Sequence, residues 1–348
     1  MLAHGEGTSL LIGETGVIER ETMAQGHTEI RVGGKSLLVP SACVMGRTVI
    51  VTGGLVTTAA VHDEELLEGA GVNDPGLFIR ALSGSGLEAD IFTFGQHLPD
   101  VTPKYEYPME WDNVAAIPTT DFAEWWEHKV SGGLRKDVRR AKNRGVVVRE
   151  VQFNDEFVRG IMGIYNETAV RQGMRFWHYG KSFDQVKGES ATYLDRSVFL
   201  GAYYNDELIG FLKFVHVGQL ARMMFILSKV AHRDKRPTNA LVAKAVEVSE
   251  ARKCSYLTYG NFTYNRNIAS SLTAFKRRNG FEQILFPRYY VPLTLRGRIA
   301  FKLNLHHGMV GLVPLGVLNL MRNARAFFFE GLGRAQRAQA GGAVRSHG

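Results

Sequence analysis

The chain has 348 residues, more than one typical domain, and its 45% hydrophobic and 22% charged residues are ordinary for a globular protein with a sizeable core. Cys43 and Cys254 are the only cysteines, which excludes a disulfide framework and a cysteine-based zinc site and fits a reducing, cytoplasmic setting. The formal charge of +8 is not spread evenly: beyond Pro287 there are nine basic residues and one acid, Glu330, so everything before Arg288 is formally neutral.

The first hundred residues carry strand-then-glycine signals, Glu29-Ile30-Arg31-Val32 before Gly33-Gly34 and Arg47 to Val51 before Gly53-Gly54. The opening heptapeptide has no basic region followed by an apolar run, so no secretory signal is expected. Asn73-Asp74-Pro75 marks a helix start. Asp90 to Phe94 reads as a strand, and the proline-interrupted stretch from Val101 to Asn113 as a boundary. This gives an N-terminal α/β domain over residues 1–112.

An aromatic segment, Phe122 to Val130, is followed by Arg135, Lys136, Arg139, Arg140, Lys142 and Arg144 against the single acid Asp137. On a helix the four-residue spacings stack these cations into a stripe. Gly145 ends that helix before the strand Val146–Val151, and Phe153 to Gln172 has helical periodicity. An aromatic and basic loop, Arg175-Phe176-Trp177-His178-Tyr179, comes next.

Three strands follow, Val198–Tyr204 and Leu208–Phe214 joined by the hairpin signal Asn205-Asp206, then Met223–Leu227. A basic loop from Ala231 to Thr238 leads into a helix from about Asn239 to Arg252, with Leu241, Val242, Ala245 and Val248 on one face. Tyr256–Tyr259 is a buried strand. A helix around Ile268–Arg278 is closed by Gly280, where a left-handed cap is expected. The Thr238-Asn239 helix start beside His232, Arg233, Lys235 and Arg236 is a natural anion site.

The order of strands and helices from Leu208, ending in Ala274-Phe275-Lys276-Arg277-Arg278-Asn279-Gly280-Phe281, resembles the GNAT acyltransferase fold. Leu134 to Val146 is similar to the basic helix that opens the equivalent domain of FemAB-like proteins, whose best-known members transfer amino acids from aminoacyl-tRNA to peptidoglycan precursors. The resemblance covers Asn113 to Leu293. It implies an α/β, mixed-sheet acyltransferase domain over 113–293, with a basic, partly apolar extension over 294–348. The default donor it implies is acyl-CoA, held by Lys229, His232, Arg233, Lys235, Arg236, Thr238, Asn239 and Asn267, and the acceptor is a small-molecule or peptide amine.

This chain departs from the pattern in two places. Arg236 and Thr238 stand where glycines usually let backbone amides reach a pyrophosphate, and Phe275 stands where the family often has a tyrosine acid. Tyr259 and Tyr264 are the candidate replacement acids, and Glu167 and His178 the candidate bases. Arg171, Arg175 and Lys181, with Trp177 and Tyr179, form a candidate acceptor rim. Two further readings stand beside acyl-CoA-dependent transfer: aminoacyl transfer from tRNA, which the two basic segments fit, and a non-catalytic binding protein on the same scaffold. No metal site is expected, since His306-His307 are adjacent, which points their rings apart on a helix, and no carboxylate stands near them in the sequence. The apolar run Met309–Met321, broken by Pro314 and followed by Arg322, Arg325 and Phe327-Phe328-Phe329, is too short to span a bilayer and fits peripheral membrane contact.

Overall fold

The computed structural model describes residues 25–32, 35–69, 71–171, 173–264 and 270–307. Strands β1 (Gln25–Val32), β2 (Lys35–Val44), β3 (Arg47–Gly53) and β4 (Thr57–Val61) form an antiparallel meander. Helix α1 (Pro75–Gly84) begins as its sequence dictates: Asp74 accepts from the Leu77 amide at 2.9 Å and Pro75 takes the first turn. The helix returns the chain to β5 (Ile91–Gly95), parallel to β4 and buried along its whole length. Next comes β6 (Met109–Pro118).

Past the short helix α2 (Phe122–Glu124) and one π-helical turn, Ser131 caps α3 (Gly132–Asn143). Then follow β7 (Val147–Val151), α4 (Asp155–Tyr165), the two-residue pair β8 (Val170–Arg171) and β9 (Met174–Arg175), and α5 (Phe183–Ser190). The long helix expected over 153–172 stops at Tyr165. Asn166 is its cap, and Glu167 and Arg171 turn to the β-sheet instead of continuing the helix. Strands β10 (Ser197–Tyr204) and β11 (Glu207–Val217) make the expected hairpin, with Asn205 and Asp206 both at positive φ, as a tight turn of that type requires. Strand β12 (Leu220–Ser228) leads into α6 (Pro237–Ala251), which crosses to β13 (Tyr256–Thr258), parallel to β12. Helix α7 (Ser271–Arg278), strand β14 (Glu282–Pro292) and helix α8 (Leu295–Lys302) complete the described chain.

Among the described residues twelve strands form one mixed sheet, in the order β1-β2-β3-β4-β5-β14-β6-β13-β12-β11-β10-β7. The same unit occurs twice: antiparallel pair, crossover helix, parallel strand. It is built once from β3, β4, α1 and β5 and again from β11, β12, α6 and β13. The halves exchange strands at the centre. β14, from the end of the chain, pairs with β5 through Arg288–Pro292, and β6 pairs with β13 through Ala116–Pro118. β14 and β6 pair with each other over Glu282–Tyr289 and Met109–Ala116. Residues 112 and 113 therefore lie inside a central strand, and the sheet runs on across them. The stretch Val101–Asn113 that reads as a boundary thus ends within a central strand, where Asp112 and Asn113 line a cavity.

Each half has its own core. One packs Phe78, Leu82, Phe92, Phe94 and Tyr289; the other packs Leu134, Leu212, Phe214, Leu241, Val246 and Leu257 around α6. Helix α8 is fastened to the first half through Asp90, whose buried carboxylate accepts from Arg296 at 2.7 Å, Thr294 at 2.8 Å and the Thr57 amide at 2.9 Å. Arg296, more than any other group, holds that carboxyl well below the usual range. Helix α8 lies so close that a Cβ on Gly297 would sit 2.0 Å from the Asp90 carbonyl oxygen. Gly297→Ala is expected to cost about 1–3 kcal/mol, because the helix must lift off Asp90. A denaturant midpoint equal to wild type contradicts this packing.

Candidate active site

Where a crossover joins two parallel strands, the strands part beyond the pairing. Strand β12 pairs with β13 only through Leu220, Ala221 and Arg222, and its last six residues run on without β13. The floor beside this gap is the stretch after β13. Tyr259 and Gly260 continue along β6, exchanging bonds with Ala115 at 2.9 Å each. Gly260 has φ +51°, and a Cβ there would lie 2.5 Å from the Tyr264 hydroxyl, so only glycine lets that hydroxyl rest on the backbone. Asn113 pins the next residues, its Oδ1 accepting from the Thr263 amide at 2.8 Å.

Beneath this loop lies Lys276, on α7, with 1% of its surface exposed. Its Nζ donates to the Asn261 carbonyl and sits 4.9 Å from the ring centroids of both Tyr259 and Tyr264. Burial pulls this amine down to about 8. Burial likewise raises both tyrosines, Tyr259 to about 12, so each keeps its O–H proton at neutral pH. Tyr259, Tyr264 and a buried cation thus form one cluster.

On the other side of Asn261 is a small pocket of about 60 Å³, at the junction of the two halves. Asp112 of β6 is its centre. Oδ1 accepts from the Asn113 amide at 2.8 Å and from Asn261 Nδ2 at 3.3 Å, and Oδ2 accepts from Arg288 Nε at 2.8 Å. Arg288 also reaches Glu64 at 3.2 Å, and Glu64 in turn accepts from the Gly95 amide at 2.8 Å. Arg222 bonds Glu65 at 3.0 Å and Thr258 Oγ1 at 3.4 Å. His97 lies on the wall; burial first, then Arg222 and Arg288, push it down to about 4, so it is neutral. The pocket shares Gly95, Gln96, His97, Leu98 and Leu220 with a second, more apolar space that Leu67, Val72, Pro99 and Val217 also line. Asn261 links the pocket to the cluster, with its amide group on Asp112 and its carbonyl on Lys276.

The residues singled out from sequence fall elsewhere, apart from Tyr259 and Tyr264. Glu167 accepts from the Val230 amide at 2.6 Å and the Ala231 amide at 2.8 Å, and so holds the β12–α6 loop. Arg171 donates to the Ser228 and Ile164 carbonyls, both at 2.8 Å, and packs on Phe176. His178 is buried between Tyr165 and Trp177, with Lys181 Nζ 3.2 Å from its Nδ1. Lys181 is paired with Glu189 at 2.6 Å. Arg175, Trp177 and Tyr179 are exposed.

The expected donor loop is also mostly satisfied within the chain. Lys229 and His232 pair with Glu207, Arg236 pairs with Asp137 at 3.2 Å, and Lys235 lies over the Tyr204 ring at 4.6 Å. Asn239 is buried and donates to Asn279 at 3.0 Å. Arg233 is exposed and forms no ion pair among the described residues. Thr238 does not cap the helix. Helix α6 starts two residues earlier, with Arg236 at φ 58° as its cap and Pro237 at the first position, where it offers no amide. Asn267 lies outside the described residues.

Beside this loop runs the basic helix. Leu134 and Ala141 bury one face of α3, while Lys136, Arg139, Arg140, Lys142 and Arg144 are exposed. Arg144 pairs with Asp234, and Asp137 with Arg236, so the stripe adjoins the start of α6. Arg135 is used internally, bonding the Trp126 carbonyl at 2.9 Å. The described residues hold no helix long and apolar enough to cross a membrane.

No family model matches the sequence, and no curated protein matches it. Solved structures do. FemX superposes with a TM-score of 0.52 at 10% identity, covering 81% of this chain and 90% of FemX. L-PGS from Bacillus licheniformis superposes with a TM-score of 0.50 at 13% identity, covering 79% of this chain and 90% of L-PGS. With its two strand–helix–strand units on one continuous sheet, the chain has the fold of FemX and L-PGS, the fold that its resemblance to FemAB-like proteins implies.

Proposed function

We propose that the protein transfers an acyl or aminoacyl group from an RNA-borne ester to an amine acceptor, at the junction between Asp112 and Lys276. The observation that carries this reading is the pairing of two clusters through Asn261: a carboxylate fixed by three donors on one side, and a buried cation between two tyrosine rings on the other.

The chemistry needs both. An acceptor ammonium entering the central pocket meets Asp112 and loses a proton as its nitrogen attacks the ester carbonyl. The carbonyl oxygen gains negative charge, and the Lys276 ammonium, still mostly protonated below pH 8 and not engaged by a carboxylate among the described residues, stabilises it. The C–N bond forms, the ester C–O bond breaks, and the leaving ribose hydroxyl receives a proton from Tyr259 or Tyr264. The attached nitrogen gives up its second proton in return, which restores the tyrosine, and the first proton, held by Asp112, leaves to solvent. Glu64 and Arg288 act at one remove by holding Asp112 in place.

The choice of an RNA-borne donor over acyl-CoA rests on the start of α6. Pro237 removes an amide and Glu207 and Asp137 neutralise its cations, which leaves little for a pyrophosphate, whereas the exposed stripe on α3 suits a phosphodiester backbone. Replacing Lys136, Arg139 and Arg140 together by Gln is expected to lower the slope of log affinity against log salt for tRNA by roughly 2–3. Filter binding across a salt series measures this. An unchanged slope, or saturable thermal protection by acyl-CoA without tRNA binding, overturns the RNA assignment and returns acyl-CoA as donor.

A further inference from the structure

Helix α8 has two faces of opposite character. Gly297 and Ala300 are buried against Asp90 and the first half of the sheet. On the outer side Leu295, Ile299 and Leu303 are 72%, 52% and 55% exposed. They are spaced by four, and each such step turns about 40°, so the three side chains form one stripe. Arg298 and Lys302 border it on one side, both exposed and without an ion pair among the described residues, and Arg296 borders it on the other. Among the described residues the only carboxylate that α8 engages is Asp90, beneath Arg296, and from Arg288 to the end of the sequence there is a single acid, Glu330.

We propose that this face of α8 is a docking surface for an anionic lipid bilayer, lying in the headgroup region with Leu295, Ile299 and Leu303 inserted and Arg298 and Lys302 among the headgroups. An apolar stripe flanked by cations fits that environment on both counts: the aliphatic side chains leave water for the acyl boundary, and the cations meet negative charge. A second copy of the chain is a poorer occupant, because a two-fold contact through this face would set Arg298 and Lys302 against their own counterparts. The tight seat of Gly297 on Asp90 makes the helix a rigid part of the domain, so docking orients the whole protein on the surface.

The test is flotation of the full chain with vesicles of phosphatidylcholine alone and with about one third phosphatidylglycerol. Binding is expected to the anionic vesicles and to weaken with salt. The triple variant Leu295→Asp, Ile299→Asp, Leu303→Asp changes only exposed side chains and is expected to bind at least about tenfold more weakly, with an unchanged far-ultraviolet spectrum. Arg298→Glu with Lys302→Glu is expected to abolish the preference for anionic vesicles. Equal binding of wild type and triple variant overturns the proposal, as does no binding to either vesicle. A concentration-dependent dimer lost in the triple variant, without vesicle binding, overturns it in favour of self-association. The test is independent of the transfer reaction, since none of these residues lines the central pocket.

Discussion

Asp112→Asn is expected to lower the rate of transfer by about 10²–10⁴-fold while leaving the fold in place. The substitution keeps the shape of the side chain and one carbonyl oxygen for the Asn113 amide and Asn261 to donate to. It removes the charge that takes the amine proton. Arg288 loses its 2.8 Å partner but keeps Glu64, so no cation is left alone in the pocket. The stability loss should therefore stay near that of one charged hydrogen bond, about 1.5–3 kcal/mol. The measurement is single-turnover transfer at several pH values beside a thermal melt. If the carboxylate is the proton acceptor, the loss appears in kcat and shrinks as pH rises and more acceptor arrives already deprotonated. A variant with wild-type kcat and a raised KM places Asp112 in acceptor binding alone.

Lys276→Met separates charge from volume in the same way. It fills the space beneath Tyr259 and Tyr264 but removes the cation, and is expected to cost about 10²–10³-fold in kcat. Stability should move differently. In the folded protein Lys276 sits near 8, against 10.5 for an ordinary lysine, so between these values the unfolded chain binds more protons than the folded one. The burial penalty is fully present below pH 8 and is relieved as pH rises toward 10.5. Wild type should thus gain stability across that window, and the methionine variant should gain less. It should still gain some, because Lys213, held by the Ser190 carbonyl at 2.9 Å and also near 8 through burial, titrates in the same range. Denaturant melts at pH 7, 8, 9 and 10 measure the difference. Parallel curves for the two proteins would show that the cation carries no buried penalty.

Local signals in the sequence translated well into structure. Asp74-Pro75 starts α1, Asn205-Asp206 turns the β10–β11 hairpin, and Gly280, at φ 79°, follows the cap of α7. Each depends on a few adjacent residues. The central pocket does not. Glu64, His97, Asp112, Arg222, Asn261 and Arg288 come from six separate places and meet only because β6 and β14 are exchanged between the halves. No local periodicity encodes that exchange, and β14 leaves no sharp signal because its alternation is mixed with Pro287 and Arg288. Nor could sequence show which cations are already neutralised: Glu207 and Asp137 lie far from the loop they pair with. In α7 the signal was one residue away. Phe275 is where a tyrosine acid is often found, but a helix turns about 100° per residue. It is the neighbouring Lys276 that points at Tyr259 and Tyr264, and a lysine inside a basic run reads as solvated.

The most direct measurement is transfer of a radiolabelled aminoacyl group. The 348-residue chain is incubated with charged tRNA or with labelled acyl-CoA and a panel of primary amines, and the products are separated as base-stable amides. The proposed reaction predicts a labelled amide from the charged tRNA, formed at least about 100-fold more slowly by Asp112→Asn and by Lys276→Met. An amide formed only from acyl-CoA, or formed equally by the two variants, would contradict the assignment of donor or of site.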